Sequence, residues 1–152
     1  MNNVLSMMEN MSKLTVLLSI IVLISCSNSN RIQDEQAIME VINQQSQAWN
    51  RGDVEGYMQG YWKSEKLRFA SGDKVTYGWQ QTLDNYLKSY PSKAKMGELI
   101  FSEIKIEILN ENEALVFGHW KLNREADNPQ GLFTLHFHNF AYGWKIVSDH
   151  TS

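Results

Sequence analysis

The chain has 152 residues, with 14 Lys or Arg, 17 Asp or Glu and a formal net charge of −3 at pH 7. A slightly acidic chain without a run of basic residues has little electrostatic support for binding nucleic acid, and we expect no nucleic-acid partner. The single cysteine, Cys26, excludes an intrachain disulfide. The length suffices for one domain with a real hydrophobic core.

The N-terminal part contains an apolar segment, Leu14 to Ile24, that follows Lys13. This segment is shorter than the roughly 20 apolar residues of a membrane-spanning helix and is typical of the hydrophobic region of a secretory signal. It runs into Leu-Ile-Ser before Cys26, and this ending resembles the bacterial lipobox. The resemblance implies cleavage before Cys26 and acylation of that cysteine. The alternative is a buried free thiol after an internal helix.

The signal divides the chain into three parts. We expect residues 1–25 to be a lipoprotein signal peptide, residues 26–31 a flexible polar tether, and residues 32–152 one domain. The mature protein would then be exported and lipid-anchored to a bacterial membrane, on the periplasmic or outer-surface side.

Apolar residues at helical spacing predict three helices, over residues 32–50, 54–61 and 79–90. Gly52 ends the first helix, and Asp53 caps the second. The third helix ends before a proline, and its expected apolar stripe is formed by Leu83, Tyr86, Leu87 and Tyr90.

The remaining segments alternate apolar and polar residues, which predicts strands. Residues 67–70 and 75–77 form a hairpin, and an antiparallel run follows over residues 99–109, 114–123, 131–141 and 144–152. Helices followed by such a run predict an α+β domain. We expect a cone-shaped half-barrel, in which a curved antiparallel sheet wraps around the three N-terminal helices and leaves a hollow interior.

Several local motifs resemble the SnoaL-like branch of the nuclear transport factor 2-like, ketosteroid isomerase-related superfamily. They are Trp49, Tyr61-Trp62, Phe69-Ala70-Ser71-Gly72, Gly78-Trp79, Gly118-His119-Trp120, Phe133-Thr134-Leu135 and the ending from Gly143 to Ser152. The resemblance covers nearly all of residues 32–152. It implies the fold, but the fold hosts isomerases, cyclases, dehydratases, binding modules and oligomerisation domains. The catalytic pattern of ketosteroid isomerases, a pocket Asp base with Tyr and protonated Asp donors, has no residue-by-residue match here.

The last hairpin supplies candidate catalytic residues. A two-residue loop at Tyr142-Gly143 would place His136 opposite Asp149 and Leu135 opposite His150. The strand face that carries His150 is the more apolar, so we expect this histidine inside the hollow as a general base. The alternative is a core histidine bonded to a backbone carbonyl or to Tyr57 or Tyr61.

The opposite face would pair His136 with Asp149, either as an acid–base dyad or as an ordinary cross-strand contact. His136 and His138 point the same way, and Asp149 would complete a possible zinc set, with His119 on a strand of unknown register. The ligand motif is not compact, and we expect neither a metal nor another cofactor.

Aromatic residues on the elements that bound the hollow are expected to line a ligand pocket, with core packing as the alternative. They are Tyr57, Tyr61, Phe69, Tyr86 and Trp120.

Three functions remain open at this point. The first is a membrane-tethered protein of the cell envelope whose pocket binds a small apolar or aromatic molecule. The second is an isomerase, cyclase or dehydratase that moves a proton with His150 or with the His136–Asp149 pair. The third is an oligomerisation or partner-binding module, and a homodimer through the outer sheet face is expected.

The position of the positive charge predicts the true start of the chain. Residues 1–12 contain Glu9 and no cation, whereas a start at Met11 would give an ordinary signal that begins Met-Ser-Lys. Peptide mapping of an uncleavable Cys26→Ala precursor should therefore recover no peptide from residues 1–10. Recovery of one would contradict a start at Met11.

Overall fold

A computed structural model of the chain describes residues 30–152. The predicted signal peptide and the first four residues of the predicted tether, which include Cys26, lie outside the described residues. Asn30 and Arg31, the last two tether residues, already belong to the first helix. None of the described helices is long and apolar enough to cross a membrane. Glu35–Ser152 form one compact unit.

The described chain contains four helices. They are α1 over residues 30–50, α2 Val54–Met58, α3 Trp79–Ser89 and α4 Lys93–Met96. The first three were predicted, although α2 ends three residues earlier than expected, and α4 was not predicted.

The junction between α1 and α2 follows the capping residues seen in the sequence. Gly52 has a φ of +87°, and its N–H donates to the Trp49 carbonyl at 2.8 Å. The Asp53 N–H donates to the Ala48 carbonyl at 2.9 Å, which completes a Schellman motif. The Asp53 carboxylate then accepts from the Gly56 N–H at 2.7 Å and starts α2. The two helices are thereby joined at a defined angle by local chemistry alone.

The strands within residues 30–152 form one six-stranded sheet. They are β1 Arg68–Ser71, β2 Lys74–Tyr77, β3 Glu98–Ile108, β4 Glu113–Asn123, β5 Gln130–Phe140 and β6 Gly143–Thr151. Their order is β2-β1-β6-β5-β4-β3; β1 pairs with β6 in parallel, and the other pairs are antiparallel. The sheet is curved and unclosed, so the predicted α+β fold with a cone-shaped half-barrel is confirmed.

Two irregularities interrupt the strand pairing. The register between β3 and β4 shifts between Ser102 and Lys105, where Glu103 adopts a positive φ of 52°. The register between β5 and β6 shifts between His136 and Phe137. An extra residue in one strand bends a sheet and increases its twist. These two shifts therefore help the sheet to curl around the helices.

The core lies between the inner face of the sheet and the helices. Ile38 and Ile42 of α1 pack there with Val116, Phe137 and Ile146 of the sheet, all essentially inaccessible to solvent. Two indole N–H groups also find backbone partners: Trp49 Nε1 donates to the Met96 carbonyl and Trp79 Nε1 to the Met58 carbonyl. These hydrogen bonds link α1 to α4 and α3 to α2, and they leave neither buried indole N–H unpaired.

The predicted apolar stripe of α3 needs one correction. Leu83 is buried, and Tyr86 and Tyr90 pack against the core, but Leu87 is 44% exposed. The inward face of α3 is centred on Trp79, and Leu87 lies about 80° around the helix from it at 3.6 residues per turn. This angle puts Leu87 at the edge of the buried face.

Candidate functional site

The pairing of β5 with β6 decides which C-terminal side chains point inward. The hairpin pairs Phe140 with Gly143, so its two-residue loop is Ala141-Tyr142, one residue earlier than predicted. Phe137 pairs with Ile146, but the next pair is His136 with Ser148, which leaves Val147 as an extra residue in β6. A shift of one residue moves every later side chain to the opposite face.

The predicted faces of His150 and Asp149 are therefore wrong. Asp149 pairs with Leu135 on the inner face and is only 5% exposed, whereas His150 pairs with Thr134 and is exposed. His136 pairs with Ser148 and does not meet Asp149. Of the three predicted catalytic residues, the structure places only Asp149 in the interior.

A cavity of about 740 Å³ lies between the inner sheet face and the helices. This volume is typical of sites for small organic molecules. All the aromatic residues that were expected to line a pocket do line it: Tyr57, Tyr61, Phe69, Tyr86 and Trp120. Their role in binding a ligand stays a prediction. Asp149 lines the same cavity.

The Asp149 carboxyl is bonded on one side only. The Tyr61 hydroxyl donates to Oδ2 at 2.7 Å, and the Tyr57 hydroxyl lies 3.3 Å from that of Tyr61. Oδ1 is buried and has no hydrogen-bond partner among the described residues. Buried polar atoms are nearly always paired, because an unpaired one costs about 1–3 kcal/mol. Oδ1 is therefore a buried, unsatisfied acceptor on a residue that lines the cavity.

Backbone hydrogen bonds hold Tyr61 beside β6. The Ile146 N–H donates to the Gly60 carbonyl at 3.0 Å, and the Trp62 N–H donates to the Ile146 carbonyl at 2.9 Å. Gly60 has no room for a side chain, because a Cβ would meet the Gln45 side chain at 2.6 Å. The buried Gln45 amide in turn donates to the Tyr57 carbonyl at 3.2 Å. These contacts fix the position of the Tyr61 hydroxyl next to Asp149.

Burial raises the pKa of Asp149 and of its tyrosine neighbours, and the acid and the phenols still titrate far apart. Burial raises the pKa of Asp149 to about 7, although the hydrogen bond from Tyr61 acts in the opposite direction. Burial, with the nearby Asp149 charge, raises the pKa of Tyr57 to about 12. The pKa values of Tyr61 and Tyr86 are also well above the ordinary value, chiefly through burial. Near neutral pH, Asp149 can therefore gain or lose a proton while the tyrosines stay neutral donors.

His136, a predicted catalytic residue, and His138, considered as a zinc ligand, share an unpredicted partner on the outer sheet face. His136 Nε2 lies 2.5 Å from Glu113 Oε2, and His138 Nδ1 lies 2.6 Å from Glu113 Oε1. Burial raises the pKa of Glu113, but the hydrogen bonds to His138 and His136 outweigh it, so the net shift is downward. Glu113 and its two histidines form a polar cross-strand contact.

The possible zinc set is not assembled. Asp149 points into the cavity, whereas His136 and His138 contact Glu113 on the other side of the sheet. His119 instead lies 3.5 Å from Glu103. Within residues 30–152, no group of three or more His, Cys, Asp or Glu side chains is arranged to hold a metal ion.

Two features of the site were not predicted from the sequence. Nothing in the residue types around Val147 marks it as the extra residue of β6, so strict alternation placed Asp149 outside. Glu113 lies one residue before the predicted start of its strand at Ala114, so no cross-strand partner was predicted for it. In the structure β4 begins at Glu113, which pairs with His138.

Several solved structures are similar to this chain. A protein of unknown function from Shewanella oneidensis MR-1, described as nuclear transport factor 2-like, is 43% identical with a TM-score of 0.75; the match covers 78% of this chain and 98% of that one. A nuclear transport factor 2-like superfamily protein from Salmonella enterica serovar Typhimurium LT2 is 20% identical with a TM-score of 0.66, covering 80% and 92%.

A third similar structure, a nuclear transport factor 2-like protein with a cystatin-like fold from Novosphingobium aromaticivorans, is 13% identical with a TM-score of 0.66, covering 83% and 85%. The last two similarities show the fold alone. The sequence matches no family model and no curated protein. The finer assignment to the SnoaL-like branch stays a prediction. Sequence identity of 43% over nearly the whole Shewanella protein indicates common ancestry as well as a shared fold. This chain therefore belongs to the nuclear transport factor 2-like proteins.

Proposed function

We propose that this chain binds a small, flat and largely apolar molecule that carries a hydrogen-bond donor. The observation that supports the proposal is the unpartnered Oδ1 of Asp149, which is buried in an aromatic-lined cavity. The apolar body of the ligand would pack on the rings, and its donor would satisfy Oδ1. Small-molecule sites combine these two elements, a mostly apolar wall and a few placed polar groups.

The ring arrangement favours a flat occupant. Tyr86 lies at the centre of the aromatic wall, with its ring centroid 5.4 Å from that of Tyr57 and 5.6 Å from that of Phe69. Both contacts are edge-on, which leaves ring faces and edges at different angles around the cavity. Aromatic ligands pack favourably in both offset-stacked and edge-to-face geometry.

The proposal includes attachment to a membrane. Cleavage before Cys26 and acylation of that residue would tether the domain on the outer side of a bacterial membrane, where the cavity could take up a ligand from the envelope. More than one acyl chain is needed for stable anchoring. An unmodified Cys26 thiol on protein isolated from bacterial membranes would contradict this part of the proposal.

Binding of 2-naphthol, followed by its fluorescence at about pH 8, tests the proposed ligand class. 2-Naphthol has two flat rings and one hydroxyl donor, and we expect it to bind the full chain in preference to naphthalene. In Asp149→Asn, the Tyr61 hydroxyl can still donate to the amide oxygen, so the cavity gains an N–H in place of the acceptor. A hydrogen bond to a charged group contributes about 1.5–3 kcal/mol, so the variant should bind 2-naphthol about 10- to 100-fold more weakly.

His150→Gln is the matched control, since it changes the neighbouring residue on the outer sheet face. It should bind 2-naphthol like the wild type, and naphthalene should be insensitive to both variants. Equal affinity of wild type and Asp149→Asn for 2-naphthol would sink the assignment of Oδ1 as the acceptor.

A second candidate function, proton transfer at carbon, is favoured by the pKa of Asp149. A carboxyl with a pKa of about 7 suits a general base that takes a proton and returns it near neutral pH. Tyr57 and Tyr86 line the same cavity, and their hydroxyls could donate to the oxygen of an enolate. The expected reaction class is isomerase-type. Asp149 would act without the predicted histidines, because His150 and His136 do not reach the cavity.

Hydrogen–deuterium exchange of 2-tetralone in D₂O checks this second candidate. The ketone has acidic hydrogens next to its carbonyl and two fused rings of suitable shape. The wild type should accelerate exchange over buffer, and Asp149→Asn should lose about 100-fold or more of that acceleration. His150→Gln should keep it. Exchange at the buffer rate with the wild type would contradict the proton-transfer candidate.

The raised pKa of Asp149 predicts a pH-dependent cost in stability. In the folded chain the group keeps its proton up to a pH of about 7, whereas its ordinary pKa is 3.8. The folded state binds more protons in this window, so the free energy of unfolding falls as the pH rises and levels off above about 7. Asp149→Asn cannot lose a proton and lacks this fall.

Urea unfolding at about pH 5 and pH 8 measures the effect. Two pH units at about 1.4 kcal/mol each predict that the wild type loses about 3 kcal/mol relative to Asp149→Asn between the two conditions. His150→Gln should follow the wild type. Parallel pH profiles for the wild type and Asp149→Asn would show that Asp149 does not titrate in this window.

A further inference from the structure

The charges that line the cavity are unevenly distributed. Among the described residues that line it, three are charged: Asp149, Lys74 and Lys88. Asp149 is buried, whereas both lysines are exposed. The cavity therefore has an acidic inner end and a basic outer end.

The strand register places Lys74 and Asp149 on the same sheet face. Asp149 pairs with Phe69 in β1, and Phe69 pairs with Thr76 in β2. Lys74 lies two residues before Thr76, so its side chain points to the same side as that of Thr76. Two strand spacings across and two residues along separate the Asp149 and Lys74 Cα atoms by about 12 Å.

Helix α3 supplies the second lysine from the opposite wall. Asn85 of α3 donates from Nδ2 to Thr76 Oγ1 at 3.3 Å, which ties the helix to β2. Lys88 follows Asn85 by three residues, about one helical turn. Neither Lys74 nor Lys88 forms an ion pair with another described residue. Two ammonium groups on facing elements are thus available at the open end of the cavity.

We propose that the ligand is an amphipathic organic anion, with a hydrogen-bond donor at one end of a flat apolar body and a carboxylate or similar group at the other. The donor reaches Asp149 Oδ1, the body packs on the aromatic wall, and the anionic group lies between Lys74 and Lys88. This inference rests on the proposed binding function and adds the charge and the orientation of the ligand.

The opposite orientation is excluded by charge. An anionic group at the inner end would lie next to the Asp149 carboxylate in a buried site, where like charges repel strongly. The lysines act in solvent, where an exposed ion pair changes affinity by only about two- to fivefold. Two lysines, together with the electrostatic attraction of an anion to the entrance, predict that an anionic ligand binds about three- to tenfold more tightly at low salt than the same ligand without its charge.

Three naphthalene derivatives test the inference on the full chain. 6-Hydroxy-2-naphthoate has its hydroxyl and carboxylate at opposite ends of the rings, 3-hydroxy-2-naphthoate has them side by side, and 2-naphthol lacks the carboxylate. Affinities are measured by fluorescence at low and high salt. We expect 6-hydroxy-2-naphthoate to bind about three- to tenfold more tightly than 2-naphthol at low salt, and 3-hydroxy-2-naphthoate to bind more weakly than both.

The double variant Lys74→Gln/Lys88→Gln should abolish the advantage of 6-hydroxy-2-naphthoate and leave 2-naphthol unaffected. Lys95→Gln/Lys105→Gln removes the same net charge at residues that do not line the cavity, and should retain the advantage. If the advantage is absent in the wild type, or survives in Lys74→Gln/Lys88→Gln, the inference is overturned while 2-naphthol binding keeps the proposed function. If neither probe binds the wild type, the proposed function fails, and the inference fails with it.

Discussion

The extra residue at Val147 in β6 determines which C-terminal side chains enter the cavity. Before it, Trp144 and Ile146 point inward and complete the core. After it, the alternation is reversed, so Asp149 and Thr151 line the cavity and His150 lies outside. The same irregularity bends the sheet, as bulges do. One inserted residue therefore shapes the hollow and also supplies the acid inside it.

Burying the Asp149 carboxyl lowers the stability of the fold, and its neighbours in the site offset only part of this loss. The Tyr61 hydroxyl satisfies Oδ2, and the backbone bonds around Ile146 keep Tyr61 in place. Oδ1 stays unpartnered in residues 30–152, and burial holds the carboxyl in its protonated form to a higher pH. Groups that cost stability and persist in a fold are concentrated at functional sites. A ligand that bonds to Oδ1 would recover part of that cost.

Two carboxyl groups on opposite faces of the same sheet illustrate how surroundings determine acidity. Glu113 contacts His136 and His138 on the outer face, and these partners lower its pKa. Asp149 has one neutral hydroxyl donor and a desolvated interior, and its pKa rises to about 7. Paired charges stabilise the ionised form, whereas desolvation favours the neutral one. The inner carboxyl is consequently the one poised to exchange protons near neutral pH.

Residue types and their spacing were sufficient to predict the α+β class, the order of the main elements, the caps at Gly52 and Asp53, and the aromatic residues that line the cavity. These features depend on local spacing and residue type, which can be read without knowing distant contacts. The folded structure was needed to show that Asp149 points inward, that Glu113 contacts His136 and His138, and that Lys74 and Lys88 line the cavity. Each of these depends on strand register or on packing between distant segments, and a single extra residue reverses a face without any signature in the residue types around it.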